Sequence, residues 1–435
     1  MHAQKKILIR VIQIAFLTFA VLPLASCNRN LFDKIKGKGS SSEDQKNAGT
    51  SDPTIQDNDR PSEELPSVPG YYFICLDKAP EEANKVQIAC KSYSSERKEV
   101  VAVGLWTGVI EKPQPNEELK TLDSKTGTFQ LTYPDPTQLA RVLDRVQISF
   151  VGTVNEQKVE ASNYVGRAPE GFACATGYVL VPGDVDYAHA DFCVMKYEAK
   201  KDWAGSNRAL STPEEAPWVS LSQVDARLRC EAEGMGYHLI KNEEWMSIGV
   251  NVASKAANWT GNAIGTGRLF AGHSDQNPSY SCPASSDDHL GYVETDCTAR
   301  ASDAKIEQQR AHTLSNGAII WDIAGNEEES VDYINRDDKP KAVLSDGGQY
   351  PTATGSKTTP LVQLVPNKAL KSYWVDTWDD KQSIGTLYTD VNGVGGALTR
   401  GGSSQGRGGL FTASFNSEPD KPASGGFRCA RLLIP

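Results

Sequence analysis

Between residues 71 and 154 apolar and polar positions alternate in short runs: "YYFICL", "KVQIACKSY", "VVAVGLW", "GTFQLTY" and "RVQISFVGTV". A period of two puts every second side chain on one face, so each run predicts a half-buried strand, and the Pro, Asn, Gly and Lys-rich stretches between them predict turns. Further along, the period lengthens. In "APWVSLSQVDARLRCEAEGMGYHLI", Ser220 with Gln223 forms a capping box, Leu221, Val224 and Leu228 fall on one helical face, and Gly234 marks the stop. In "NEEWMSIGVNV", Asn242 is the expected cap, Glu243 and Glu244 suit the helix N-terminus, and Trp245, Ile248 and Val252 make the buried stripe. About sixty residues of Gly, Ser, Asn and Asp-rich chain follow, longer than an ordinary connection, which predicts a structured long-loop or binding region.

The five or more strands predict a small all-β sandwich over residues 68–168, immunoglobulin-like in its strand count and spacing. No catalytic constellation falls there, and its reading is a spacer or an accessory binding domain. Residues 28–67 are Ser, Asp, Glu, Lys, Gly and Pro with almost nothing apolar, as a tether requires; such a chain reaches roughly 30 to 40 Å. Before it, Lys5, Lys6 and Arg10 precede an apolar run from Val11 to Leu22, too short to span a bilayer and typical of an export signal over residues 1–27. The exit, Leu24-Ala25-Ser26-Cys27, resembles a bacterial lipobox, which implies that Cys27 carries a lipid anchor to the membrane. Asn28 after it resembles enterobacterial lipoproteins sorted to the outer membrane, facing the periplasm or the cell surface.

Charge and cysteine usage narrow the partners. A formal net charge of −10 offers no basic face for nucleic acid. With Cys27 assigned to lipid, eight cysteines remain: Cys75, Cys90, Cys174, Cys193, Cys230, Cys282, Cys297 and Cys429. An even number in an exported chain predicts disulfides, and without any C-x-x-C there is no zinc knuckle or thioredoxin-type pair. Cys75 and Cys90 stand on neighbouring predicted strands and suit a bond worth about 3 kcal/mol in the chain-entropy account.

"DFCVMKYEAK", the helix before Cys230 and Gly234, "HLIKNEEW", "WDIAGNEEESV", "LTRGGSS" and "GGFRCAR" occur in an order that resembles the formylglycine-generating-enzyme-like (sulfatase-modifying-factor) domain, a C-type lectin fold variant. The resemblance runs from about Glu170 to Leu432 within residues 169–435. It implies a compact α+β domain with two helices, small twisted sheets and much irregular chain. It also implies a Cys230–Cys429 bond, leaving Cys174–Cys193 and Cys282–Cys297 as the simplest remaining pairs. In "WDIAGNEEESV" it implies calcium held by the carboxylates of Asp322 and Glu329 and the main-chain carbonyls of Gly325 and Glu327, although Glu328 and Ser330 replace the family's two tryptophans. The alternative is an acidic surface turn.

Catalysis has little support in the sequence. The copper-binding cysteine pair of formylglycine-generating oxidases has no counterpart between Arg400 and Cys429, and no H-x-x-x-H grouping supplies the ligands of an iron site, so neither copper nor iron is expected. Gly402-Ser403-Ser404-Gln405-Gly406 satisfies G-x-S-x-G, but no histidine follows His312 to complete a triad. The same block, "RGGSSQGRGGLFTASFNSEPDKPASGGFRCAR", resembles the C-terminal segment of ligand-binding lectin-fold proteins varied by diversity-generating retroelements. That implies a ligand surface at Ser404, Gln405, Arg407, Thr412, Ser414 and Asn416, pointing to solvent from a scaffold of Leu410, Phe411, Phe415 and Phe427. The resulting expectation is a lipid-anchored, non-catalytic protein binding a protein or glycan. Its rivals are an enzyme of the same superfamily with an unrecognised site and a structural partner in an envelope complex.

Overall fold

The structure, a computed structural model, describes residues 71–78, 80, 82–94, 98–202, 207–276, 278–284, 291, 297, 306–334, 384–385, 387–389, 397–405, 408–417 and 425–433. Cys27, Arg407, the tether and the signal segment lie outside them, as do the side chains of Phe415 and Asn416. The described chain is mixed, mostly strand with few helices.

The first strands are β1 (Tyr71–Asp77), β2 (Lys85–Ser94), β3 (Glu99–Val100), β4 (Ala102–Ile110), β5 (Glu118–Asp123), β6 (Thr128–Thr132), β7 (Val146–Val154) and β8 (Gln157–Tyr164), with the short helix α1 (Leu139–Leu143) ahead of β7. They form two antiparallel sheets: β1-β2-β6-β5, with β3 also on β2, and β4-β7-β8. The alternation explains the packing. Val86, Ile88 and Cys90 of β2 and Phe129 and Leu131 of β6 are buried, and they share one core with Trp106, Ile148 and Phe150 of the other sheet. Phe73, Trp106 and Phe150 meet at its centre, the Trp106 and Phe150 rings 4.7 Å apart. Cys75 and Cys90 are directly opposite in the β1–β2 register and are bonded. Strands β5 and β8 have no counterpart among the predicted runs, because both are sheet edges: β5 leaves most of its residues exposed and β8 buries none fully.

The second set comprises β9 (Tyr178–Val181), β10 (Phe192–Met195), β11 (Lys200–Lys201), β12 (Ala209–Leu210), α2 (Gln223–Glu231), β13 (Tyr237–Leu239) and α3 (Asn242–Ala253). After these come β14 (Ala311–Thr313), β15 (Ile319–Trp321), β16 (Glu329–Ile334), β17 (Leu387–Thr389), β18 (Ala397–Arg400), β19 (Ala413–Ser417), β20 (Gly426–Phe427) and β21 (Cys429–Leu432). Strand β21 runs between β13 and β10, so the end of the chain closes onto its early strands. A second sheet, β17-β19-β18-β16-β20, carries the acidic turn and the glycine-rich block on adjacent strands. The pairs Cys174–Cys193, Cys230–Cys429 and Cys282–Cys297 are bonded.

Both predicted helices exist, with corrections. In α3 the buried set extends well beyond Trp245, Ile248 and Val252, reaching Asn242 and Asn251, because sheets and loops surround it. Its N-cap is Lys241, whose backbone N–H donates to Glu244 Oε2 at 2.8 Å, while Asn242 lies inside the helix. In α2 the cap is Ser222, not Ser220; Ser222 Oγ accepts from Asp225 N at 3.0 Å. Two of the three expected stripe residues are turned outward, Val224 41% and Leu228 53% exposed, while Leu221 is half-buried against the core. The docked face is instead Gln223, Ala226 and Cys230, fixed by the Cys429 disulfide and by Gln223 Nε2 donating to the carbonyls of Val331 and Tyr333.

Candidate binding cleft

The acidic turn is built around residues with positive φ, Asp322 (55°), Gly325 (72°) and Asn326 (63°). A Cβ on Gly325 would come within 2.7 Å of the carbonyl oxygens of His273 and Ala271, so only glycine lets the chain lie this close to them. Main-chain bonds then stitch the turn to its neighbours: Asn326 N to His273 O (2.7 Å), Gly325 N to Gly401 O (2.9 Å) and Ser404 N to Asn326 O (2.9 Å). The turn and the glycine-rich block are thereby one unit.

Beneath this turn the carboxylates are already matched. Arg310 holds Asp322 through Nε to Oδ1 (2.5 Å) and Nη2 to Oδ2 (2.7 Å), both side chains fully buried. Arg428 holds Glu329 through Nε to Oε2 (2.7 Å) and Nη2 to Oε1 (2.5 Å), and donates Nη1 to the Met195 carbonyl. Burial opposes the Arg428 charge, but the charge and hydrogen bond of Glu329 outweigh it and raise its pKa. Glu198, also buried, accepts from Asn326 Nδ2 (2.5 Å) and from the Glu327 amide (3.0 Å); burial, reinforced by the Asp322 charge, raises its pKa well above the carboxylate range.

Calcium takes six to eight oxygen ligands. The carboxylates expected to supply them, Asp322 and Glu329, each present both oxygens to a guanidinium, and their charge is balanced by it. A calcium ion at Asp322, Gly325, Glu327 and Glu329 would have to displace these arginine bonds to reach the carboxylate oxygens. The acidic turn is tied by arginines 12 residues before Asp322 and 99 residues after Glu329.

Above the turn lies a cleft of about 450 Å³ lined by Ser279, Tyr280, Ser281, Glu327, Glu328, Gly402, Ser403, Ser404, Gln405, Thr412 and Ser414. Four of the six ligand positions expected from the sequence, Ser404, Gln405, Thr412 and Ser414, meet here; Arg407 and the Asn416 side chain are outside the described residues. The expectation that they point freely to solvent needs correction. Gln405 is exposed, but Ser404 and Thr412 are 3% and Ser414 5% exposed, so they form recessed walls. Ser414 Oγ is buried without a hydrogen-bond partner among the described residues, a state that natural structures rarely leave uncompensated. Glu327 accepts a hydrogen bond from Ser281; burial, helped by the Glu328 charge, still pushes its carboxyl up to about 7. Glu328 Oε2 accepts from Thr399 Oγ1 at 3.0 Å.

The floor is rigid. Phe411 and Leu410 are fully buried, as the sequence predicts for scaffold, and so is Phe427. A Cβ on Gly249 of α3 would meet the Phe411 ring at 2.4 Å, so helix and ring are in close contact. Trp245 Nε1 donates to Leu410 O (2.9 Å), and Arg400 Nη2 to Asn242 Oδ1 (2.5 Å), which together fix the glycine-rich block to α3. Sequence reasoning misses Ser279–Ser281, Glu328 and Ser403 as lining residues: the only mark on the serine-tyrosine stretch is its adjacency to Cys282, whose amide donates to Asn326 Oδ1 at 2.7 Å.

Chemically the cleft is a wall of hydroxyls with an amide and two carboxylates. No histidine is among the described lining residues, and Ser404 sits in the connection from β18 to β19, not between a strand and a helix. The G-x-S-x-G match therefore lacks the nucleophile-elbow context. What the geometry offers is hydrogen bonding and negative charge for a polar ligand. Compared with known proteins, the chain matches no family model and no curated protein.

Proposed function

We propose that this chain is a lipid-anchored envelope protein of the bacterial outer membrane whose C-terminal part binds a protein or glycan ligand without catalysing its conversion. The observation that carries the reading is the convergence of Ser404, Gln405, Thr412 and Ser414 on one cleft. The sequence marks these four as ligand positions, and they line a recess whose backbone is held by buried aromatic and arginine contacts. Fixed backbone below and polar side chains above is the division of labour expected of a binding site.

Two architectural proposals accompany it. Leaving aside the two-residue β3, the orders β1-β2-β6-β5 and β4-β7-β8 match the A-B-E-D and C-F-G sheets of a constant-type immunoglobulin sandwich, and Trp106 stands where that fold buries a tryptophan. For the second part, the two helices, the Cys230–Cys429 bond and the abundant irregular chain support the formylglycine-generating-enzyme-like variant of the C-type lectin fold. The test is capture by the purified chain on arrays of glycans and cell-surface material, repeated with Gln405→Ala and Ser414→Ala. Loss of a captured ligand in these variants, with folding intact, supports the reading; capture indifferent to both removes the cleft from it.

A further inference from the structure

One face of the three-stranded sheet breaks the rule that its own alternation sets. Trp106 of β4 and Ile148 and Phe150 of β7 turn inward to the core, so the odd-numbered positions of both strands face outward, where polar residues are expected. Instead Val103, Leu105, Val109 and Val151 are each 55% or more exposed, and Val101, just ahead of β4, is exposed as well. Leu105 stands directly opposite Val151 in the register. Apolar area gathered on one face in this way marks an interaction surface. The free edge of β4 is already engaged at Trp106, whose N–H donates to Ser124 O at 2.8 Å. The flat face, not the edge, is open for docking.

The charges beside the patch select the occupant. On β8, Lys158 continues the row Val103–Thr153 and Glu160 the row Leu105–Val151, so both charges stand on the apolar face, two residues apart. Both are exposed, and neither forms an ion pair among the described residues. An anionic lipid surface would be met by a basic rim, whereas here the signs alternate. Alternating signs are self-complementary. A two-fold axis crossing the strands midway between these two rows sets Val103 against Leu105, Thr153 against Val151 and Lys158 against Glu160 of the other copy. Strands of nine, nine and eight residues make a face of roughly 30 Å by 15 Å; with side-chain relief it supplies most of the about 800 Å² that each partner buries in a standard complex. We propose that a second copy of this chain packs here, the two β4-β7-β8 sheets face to face about that axis. The inference stands independently of the cleft and its ligand.

The experiment is sedimentation equilibrium of the purified chain and of variants at exposed positions, whose melting temperatures should stay close to that of the unaltered chain. The unaltered chain should form dimers, and Leu105→Asp should raise the dissociation constant about tenfold or more. K158E alone and E160K alone place like charges at both symmetric contacts and should each weaken the dimer by a similar factor. Mixing these two variants brings opposite charges together again at both contacts, so they should associate with each other as tightly as the unaltered chain does with itself. Both substitutions in one chain should likewise restore the dimer. A chain that stays monomeric at its highest soluble concentration would overturn the proposal and leave the face to a lipid surface or another protein. Dimers indifferent to Leu105→Asp would overturn it by placing the contact elsewhere. Dimers weakened by Leu105→Asp but by neither charge variant, or not restored on mixing, would overturn the two-fold arrangement.

Discussion

Glu329 and Arg428, 99 residues apart in sequence, form a two-pronged ion pair in which neither side chain has any exposed surface. The pair joins the acidic turn to the last strands, since Arg428 also donates to the carbonyls of Met195 and Trp321. Removing one partner leaves a buried charge unmatched. Arg428→Met or Glu329→Leu should each destabilise the protein by about 3 to 5 kcal/mol, and the double substitution by less than the sum. Urea unfolding of the three variants measures this; additive losses would mean that the pair is not coupled.

The arginine-bound carboxylates also predict the response to metal. Calcium and chelator should leave the melting temperature unchanged, because a ligand stabilises only by binding the native state, and Asp322 and Glu329 have their oxygens engaged. A calcium-dependent rise that disappears in Asp322→Asn would restore the cation to the turn.

How far the sequence carries depends on whether a residue's partner is local. Strands β2, β6 and β7 were legible because alternation alone decides which side of a strand is buried. Strand β8, "QKVEASNY", was not, since an edge strand has little apolar demand. Of the stripe, Leu221 packs as expected, whereas Val224 and Leu228 misled because α2 is docked by a disulfide and by Gln223, neither of which enters an apolar pattern. Asp322 and Glu329 were visible as carboxylates, whereas Arg310 and Arg428 became their partners only through folding. The cleft was half legible: its β18–β19 wall lies in one block, but Ser279–Ser281 come from the long loop.

A pH effect is expected from His238. Burial lowers its pKa, but the hydrogen bond and charge of Glu244, 2.8 Å from Nε2, and the Gly236 carbonyl outweigh this and raise it. A raised folded pKa stabilises fully below the unfolded value of about 6.5 and ceases to do so as pH rises through the folded value. Glu233 and Glu327, pushed up to about 7, act in the same direction, so the difference between His238→Gln and the unaltered protein isolates the histidine. That difference should be largest below pH about 6.5 and shrink above it. A constant difference across this window would mean that the imidazole gains no charge-dependent stability.

The central claim, that the cleft is a binding site separable from the fold, is tested most directly by measuring ligand capture and unfolding free energy on the same variants. Ser414→Ala removes a hydroxyl without a described partner, and Gln405→Ala trims an exposed side chain, so each should change stability by no more than about 0.5 kcal/mol while capture falls. Phe411→Ala should cost about 3 to 5 kcal/mol and reduce capture only through unfolding. Capture that falls for Ser414→Ala and Gln405→Ala at unchanged stability is the predicted result; capture that tracks stability across all three variants would contradict the account.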